Sequence, residues 1–120
     1  GPSSLMLALM ASGLNGQTFA FSGYIPAKTD ERRQALKSLE RRSASEHQTQ
    51  IFIETPYRNE SLFADILNIC QNSTELCIAA NITMPDAFIR TKTIAEWKKF
   101  AAGKNEVIGK RPCVFLILGH

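Results

Sequence analysis

The order of patterns along the chain predicts an α/β fold, a mixed five-stranded sheet flanked by helices. Three observations carry this. Extended and helical stretches alternate from one end of the sequence to the other. Short turns such as Met84-Pro85-Asp86 leave no room for a crossover helix and call for some antiparallel pairing. The stretch Cys113-Val114-Phe115-Leu116-Ile117-Leu118 is apolar at every position, as a strand covered on both faces must be.

Each element has a local reason. Ser3 or Ser4 can cap a first helix through Leu5 to Ala11, and Gly13 can end it. That helix is apolar all round, so it needs cover on every side or an interface. Thr18 to Tyr24 reads as a strand closed by Gly23 and Pro26. Asp30 to Ser43 reads as a helix with a thin stripe of Ala35, Leu36 and Leu39. Thr49 to Glu54 is a strand that Pro56 breaks. Asn59 is placed to cap a helix whose stripe is Leu62, Phe63, Ile66, Leu67 and Cys70. Leu76 to Thr83 is a further strand, and Ala87 to Thr91 alternates as another. Thr93 and Glu96 form a capping box for a helix bearing Ile94, Trp97 and Phe100, stopped by Gly103. Lys104 to Lys110 is a loop before the last strand.

The 120 residues amount to one domain, and 44% hydrophobic with 21% charged residues argues against wholesale disorder. The apolar runs Leu5–Ala11 and Cys113–Leu118 are too short to cross a bilayer, so no membrane partner is expected. No basic residue precedes Leu5, which argues against a signal peptide. Cys70, Cys77 and Cys113 are odd in number and lie in apolar surroundings. They read as buried, reduced thiols in a protein of the cytoplasm. His47 and His120 stand apart, and no metal site is expected.

Lys28 to Arg42 holds six basic and three acidic residues, a balance of +3 that equals the net charge of the whole chain. Two readings stay open. Asp30 and Glu31 in a first turn with Arg41 and Arg42 in a last turn suit the helix dipole of a solvated face. The same face also suits RNA or another acidic partner.

No phosphate-cradling loop is present, because Gly13-Leu14-Asn15-Gly16 lacks both the dinucleotide-binding spacing and the P-loop lysine. The densest polar cluster is Glu54-Thr55-Pro56-Tyr57-Arg58-Asn59, at the C-terminal end of a strand, where open α/β sheets favour ligands. It reads either as a ligand site or as a helix entry with Glu54 paired to Arg58. Ala79-Ala80-Asn81 offers small residues late in a strand, suited to a flat ligand or to close helix packing. Trp97 and Phe100 read as core.

These segments, in this order, resemble the C-terminal domain of the tetrapyrrole (corrin/porphyrin) methylase superfamily. The resemblance rests on Gly1-Pro2-Ser3-Ser4 before an apolar helix and on Phe19-Ala20-Phe21-Ser22-Gly23-Tyr24-Ile25-Pro26. It continues through Thr49 to Arg58, the strand to Ala79-Ala80-Asn81-Ile82-Thr83, and Lys110 to Phe115. It is strongest toward the branch of small-subunit rRNA 2′-O-methyltransferases and their relatives.

The resemblance implies a homodimer of two-domain subunits with S-adenosylmethionine in the cleft between domains. The Gly-rich N-terminal domain of that arrangement is absent from this sequence. Carried over by position, Glu54, Thr55, Ala80, Asn81, Ile82, Pro112 and Cys113 would contact the cofactor. Tyr57 and Arg58 are the candidates for positioning an acceptor, either rRNA or a tetrapyrrole-like ring. The rRNA branch usually carries Tyr-Glu-x-x-His-Arg, and here Ile53 and Tyr57 take the Tyr and His places. It usually carries Arg-Glu-Leu-Thr where Ala80-Asn81-Ile82-Thr83 stand, and Lys-Gly-Glu where Lys110-Arg111-Pro112 stand. These departures bear on the rRNA substrate more than on the fold. On this reading the chain alone is inactive. The alternatives from the residues themselves are a non-catalytic RNA-docking module and a dimerisation module built on the apolar first helix.

Overall fold

A computed structural model describes residues 2–120, with side chains from Ser4 onward. Helix α1 (Pro2–Ser12) is followed by β1 (Phe19–Tyr24), α2 (Thr29–Glu46) and β2 (Thr49–Ile53). A 3-10 turn (Pro56–Arg58) leads into α3 (Asn59–Ile69), then β3 (Glu75–Ala80), β4 (Phe88–Thr93), α4 (Ile94–Ala101) and β5 (Cys113–Leu118). The sheet order is β1-β2-β5-β3-β4. β1 and β2 run parallel, and β2/β5, β5/β3 and β3/β4 are antiparallel, so the sheet is mixed as expected. The all-apolar β5 takes the central place, with a neighbour on each side.

Strand alternation divides the core in two. Phe52, Ile78, Phe115 and Ile117 face α2, α3 and α4, where Trp97 is fully buried and donates its indole N–H to the Leu76 carbonyl at 2.8 Å. Phe63 and Phe100 meet the Trp97 ring edge-on, at 5.5 and 5.6 Å between centroids. Ile51, Cys77, Ala79, Val114 and Leu116 face the other way, toward Ala8 and Leu9 of α1. The capping box of α4 is formed: Thr93 Oγ1 accepts from the Glu96 backbone and Glu96 Oε1 accepts from the Thr93 N–H.

Four local expectations give way to tertiary packing. α1 begins at Pro2, so Ser3 and Ser4 lie inside it and neither is the cap; the Ser3 side chain lies outside the described residues, as does Gly1. α2 does not end at Ser43. Ser43 is buried and accepts from the Gly119 N–H at 2.8 Å, and the helix runs to Glu46 before His47 closes it at φ +51°. Arg41 and Arg42 are therefore outside the last turn.

β3 stops at Ala80, not Thr83, because Asn81 turns the chain at φ +50°, a conformation asparagine tolerates better than most residues. Asn59 does not cap α3. Pro56 starts a 3-10 turn three residues earlier, and the buried Asn59 amide donates instead to the carbonyls of Arg111 (2.7 Å) and Gly109 (3.4 Å).

Candidate functional site

The C-terminal ends of β1, β2 and β3 and the start of β5 emerge at one edge of the sheet, in register: Tyr24 beside Ile53, Ile53 beside Val114, and Ala80 beside Cys113. Beside this edge lies an open cleft of about 750 Å³. Strand tips supply Phe21, Tyr24, Ile53, Ala79, Val114 and Cys113. The segments that follow β2 and β3 and precede β5 supply Glu54, Pro56, Asn81, Ile82, Thr83, Met84 and Pro112. Ser4 and Leu5 of α1 close one side. The volume lies within the range of small-molecule and cofactor sites, and the lining is mostly apolar with a few polar groups, as such sites require.

Glu54 is buried against this cleft. One carboxylate oxygen pairs with the Arg32 guanidinium, and the other accepts the Thr55 N–H at 2.7 Å, with Arg58 Nη1 at 4.0 Å. Arg32 is only 2% exposed. It also donates Nε to the Pro26 carbonyl at 2.9 Å and reaches Asp65 at 3.4 Å. The expectation that Arg32 belongs to a solvated or RNA-facing surface is thus corrected: its position on α2 points inward, under the cleft floor. The expected Glu54–Arg58 pairing is present only as the longer contact. With Arg32 and the Thr55 amide engaged, the Glu54 carboxylate is held in place and frames the cleft.

On the opposite wall, Asn81 donates its amide to both carboxylate oxygens of Asp86, at 3.1 Å each, and its backbone N–H to the Pro112 carbonyl at 2.9 Å. The segment carrying Pro112 is held from below. Glu60 accepts three consecutive backbone N–H groups, those of Val107 (3.0 Å), Ile108 (2.6 Å) and Gly109 (2.8 Å), while Asn59 holds the carbonyls beyond them. Neither role was visible in the sequence, because both partners lie some fifty positions away. Cys113 is buried, and burial followed by the neighbouring Cys77 thiol pushes its pKa well above the ordinary range. It is a neutral packing thiol, not a nucleophile.

The structure brings Glu54, Asn81, Ile82, Pro112 and Cys113 together in the cleft lining. Thr55 stands next to Glu54 outside the lining. Ala80 points to the opposite core, with Phe115 and Ile78, and Ala79 takes the cleft-facing place. Period-two alternation from the buried Cys77 could have found this. Tyr57 and Arg58 lie on the 3-10 turn, stacked at 4.8 Å from guanidinium to ring centroid, with Tyr57 well exposed. Sequence reading missed Phe21 and Tyr24, which strand register places at the cleft, and Thr83 and Met84, which the turn after β3 carries there.

The arrangement can bind and orient a ligand with apolar and polar parts. Solved structures share the fold: the methyltransferase CobJ matches with a TM-score of 0.57 at 16% identity, covering 95% of this chain and 46% of that one. The cobalt precorrin-4 methyltransferase CbiF matches with a TM-score of 0.58 at 14% identity, covering 96% and 48%. No protein-family model matches. Ribosomal RNA small subunit methyltransferase I of Escherichia coli O157:H7 is 31% identical over 123 residues, covering 100% of this chain and 40% of the relative. The protein of the same name from Vibrio cholerae serotype O1 is 32% identical over 120 residues, again 100% and 40%. The chain belongs to the tetrapyrrole methylase superfamily and is similar to its small-subunit rRNA methyltransferase branch. It spans about 40% of the length of these curated relatives.

Proposed function

We propose that the chain is the C-terminal domain of an S-adenosylmethionine-dependent methyltransferase and forms one wall of its cofactor cleft. The observation that carries this is the open cleft at the strand tips, where five positions matched to the family's cofactor contacts converge. The lining fits the ligand's chemistry. Ile53, Ala79, Ile82 and Val114 offer apolar surface to a flat ring, and Ser4, Asn81 and Thr83 offer polar groups at its edge. When bound, S-adenosylmethionine supplies a methyl group on sulfur that is open to in-line displacement.

What this chain contributes is position. Arg32 holds Glu54, Asp86 holds Asn81, and Glu60 holds the loop before Pro112, so both walls are fixed before ligand arrives. Tyr57 and Arg58 stand beside the cleft as a stacked pair suited to a nucleotide base and its phosphate. The relatives' names favour rRNA as the acceptor over a tetrapyrrole-like ring, and a ribosomal substrate places the enzyme in the cytoplasm. The exposed apolar face of α1, with Met6, Leu7 and Met10, is then covered by the N-terminal domain or by a second subunit of a homodimer.

The test is calorimetric titration of S-adenosylhomocysteine into the full-length protein. Micromolar binding is expected, weakened at least tenfold by a change at Ile82 to Asp, which puts a charge on the apolar wall. Undetectable binding to the folded full-length protein would sink the proposal.

A further inference from the structure

α2 carries two kinds of arginine. Arg32 faces inward and is consumed by Glu54, Asp65 and Pro26. Arg33, Lys37 and Arg41 follow at four-residue steps on the outside of the helix, and all three are exposed. Among the described residues none of them makes an ion pair. Asp30, one turn before Arg33, lies beyond ion-pair distance. Glu40, the acid beside Lys37 and Arg41, is engaged by the Gln71 N–H and the Thr74 hydroxyl. Like charges stacked four residues apart destabilise a helix. Among the described residues the one acid beside them is Glu40, and no direct ion pair relieves the stack.

The stripe is also placed. Arg33 neighbours the residue that braces the cleft floor, and Arg41 lies about 12 Å further along the helix axis. Lys37 and Arg41 wall a shallow groove of about 340 Å³ that also takes in Glu40, Gln71 and His120. A track of unpaired cations that starts at the end of α2 where Arg32 meets the cleft-lining Glu54, and runs away along the outside of the helix, matches the regular negative charge of a nucleic-acid backbone.

The geometry points to Arg33, Lys37 and Arg41 as a docking track for the phosphates of an RNA strand whose acceptor nucleotide enters the cleft. This rests on the methyltransferase reading for its direction, and on the helix alone for its chemistry. The relatives' acceptor class favours RNA over an acidic protein or a lipid surface.

The experiment measures binding of a short fluorescent single-stranded RNA to the full-length protein across a salt series. It compares the wild type with Arg33→Gln/Lys37→Gln/Arg41→Gln. A control variant, Lys98→Gln/Lys99→Gln/Lys104→Gln, removes the same charge from exposed positions around α4. The α2 variant is expected to flatten the slope of log affinity against log salt by about 2, from three phosphate contacts at about 0.7 each. The control is expected to change it by less than half of that. Equal effects of both variants, or none from the α2 variant, would overturn the track. So would loss of binding to anionic phosphatidylserine vesicles with RNA binding intact. S-adenosylhomocysteine titration of the α2 variant separates the two ideas. Unchanged cofactor binding with lost RNA binding supports both, and absent cofactor binding in the wild type with the slope change intact removes only the methyltransferase reading.

Discussion

The two faces of the sheet are built to different standards. The face toward α2, α3 and α4 is closed: Phe52, Trp97 and Phe115 are fully buried and the aromatic rings meet in ordered pairs. The face toward α1 has one short helix for cover. Met10 is 74% exposed, Tyr24 68% and Phe21 49%, and the cleft opens where cover runs out. Burial drives folding in proportion to the apolar area removed from water. The closed face therefore stabilises the domain by itself, whereas the open face leaves apolar surface of the kind found at binding sites and interfaces.

Substitutions can break or sharpen that contrast. On the closed face Trp97→Ala removes the largest buried side chain and its hydrogen bond to the Leu76 carbonyl. An expected loss of about 3–5 kcal/mol is read from urea unfolding. A loss under 1 kcal/mol would show that this face is not the main core.

Arg32→Met leaves Glu54 and Asp65 without their buried partner at the boundary between core and cleft. It is expected to cost about 3–5 kcal/mol, while Arg33→Gln, one residue on, stays within about 0.5 kcal/mol. Similar values for the two would contradict the opposite orientations of their side chains.

The buried thiols give a pH test that involves both faces. Burial first, then the charge of Glu40, pushes Cys70 up from 9.0 to about 12; burial also raises Cys77 and Cys113. A thiol with a raised folded-state pKa contributes stability that is complete below the unfolded value and is lost as pH rises toward the folded one. Stability is expected to fall above about pH 9, by up to about 1.4 kcal/mol per pH unit for each thiol. Melting temperatures at pH 7, 9 and 10.5 check this, and Cys70→Ala is expected to reduce the slope. The smallest effect belongs to the open face. Met10→Ser is expected to change stability by less than about 0.5 kcal/mol in the isolated chain. A large loss there would mean that α1 is buried after all.

Much of the fold was legible because its causes are local. The Thr93–Glu96 box, the apolar β5 and the strand that Pro56 ends are each written within a few residues of one another. The site was legible in outline for the same reason, since Glu54 and Asn81 follow strand ends. Its details were not. Ala79 and Ala80 look alike in sequence, and only strand register sends one to the cleft and the other to the core. Asn59 reads as a cap until a loop fifty positions away claims its amide.

The sequence by itself determined which segments are helix or strand and that the sheet would be mixed, because periodicity and turn chemistry act over short range. Tertiary structure alone decided that Arg32 is a buried brace while Arg33 is free. It also decided that Glu60 anchors a distant loop and that the first helix covers only part of its face. Those outcomes depend on which groups meet across the chain, and the free energy of a charge or an apolar side chain is set by what surrounds it rather than by its neighbours in sequence.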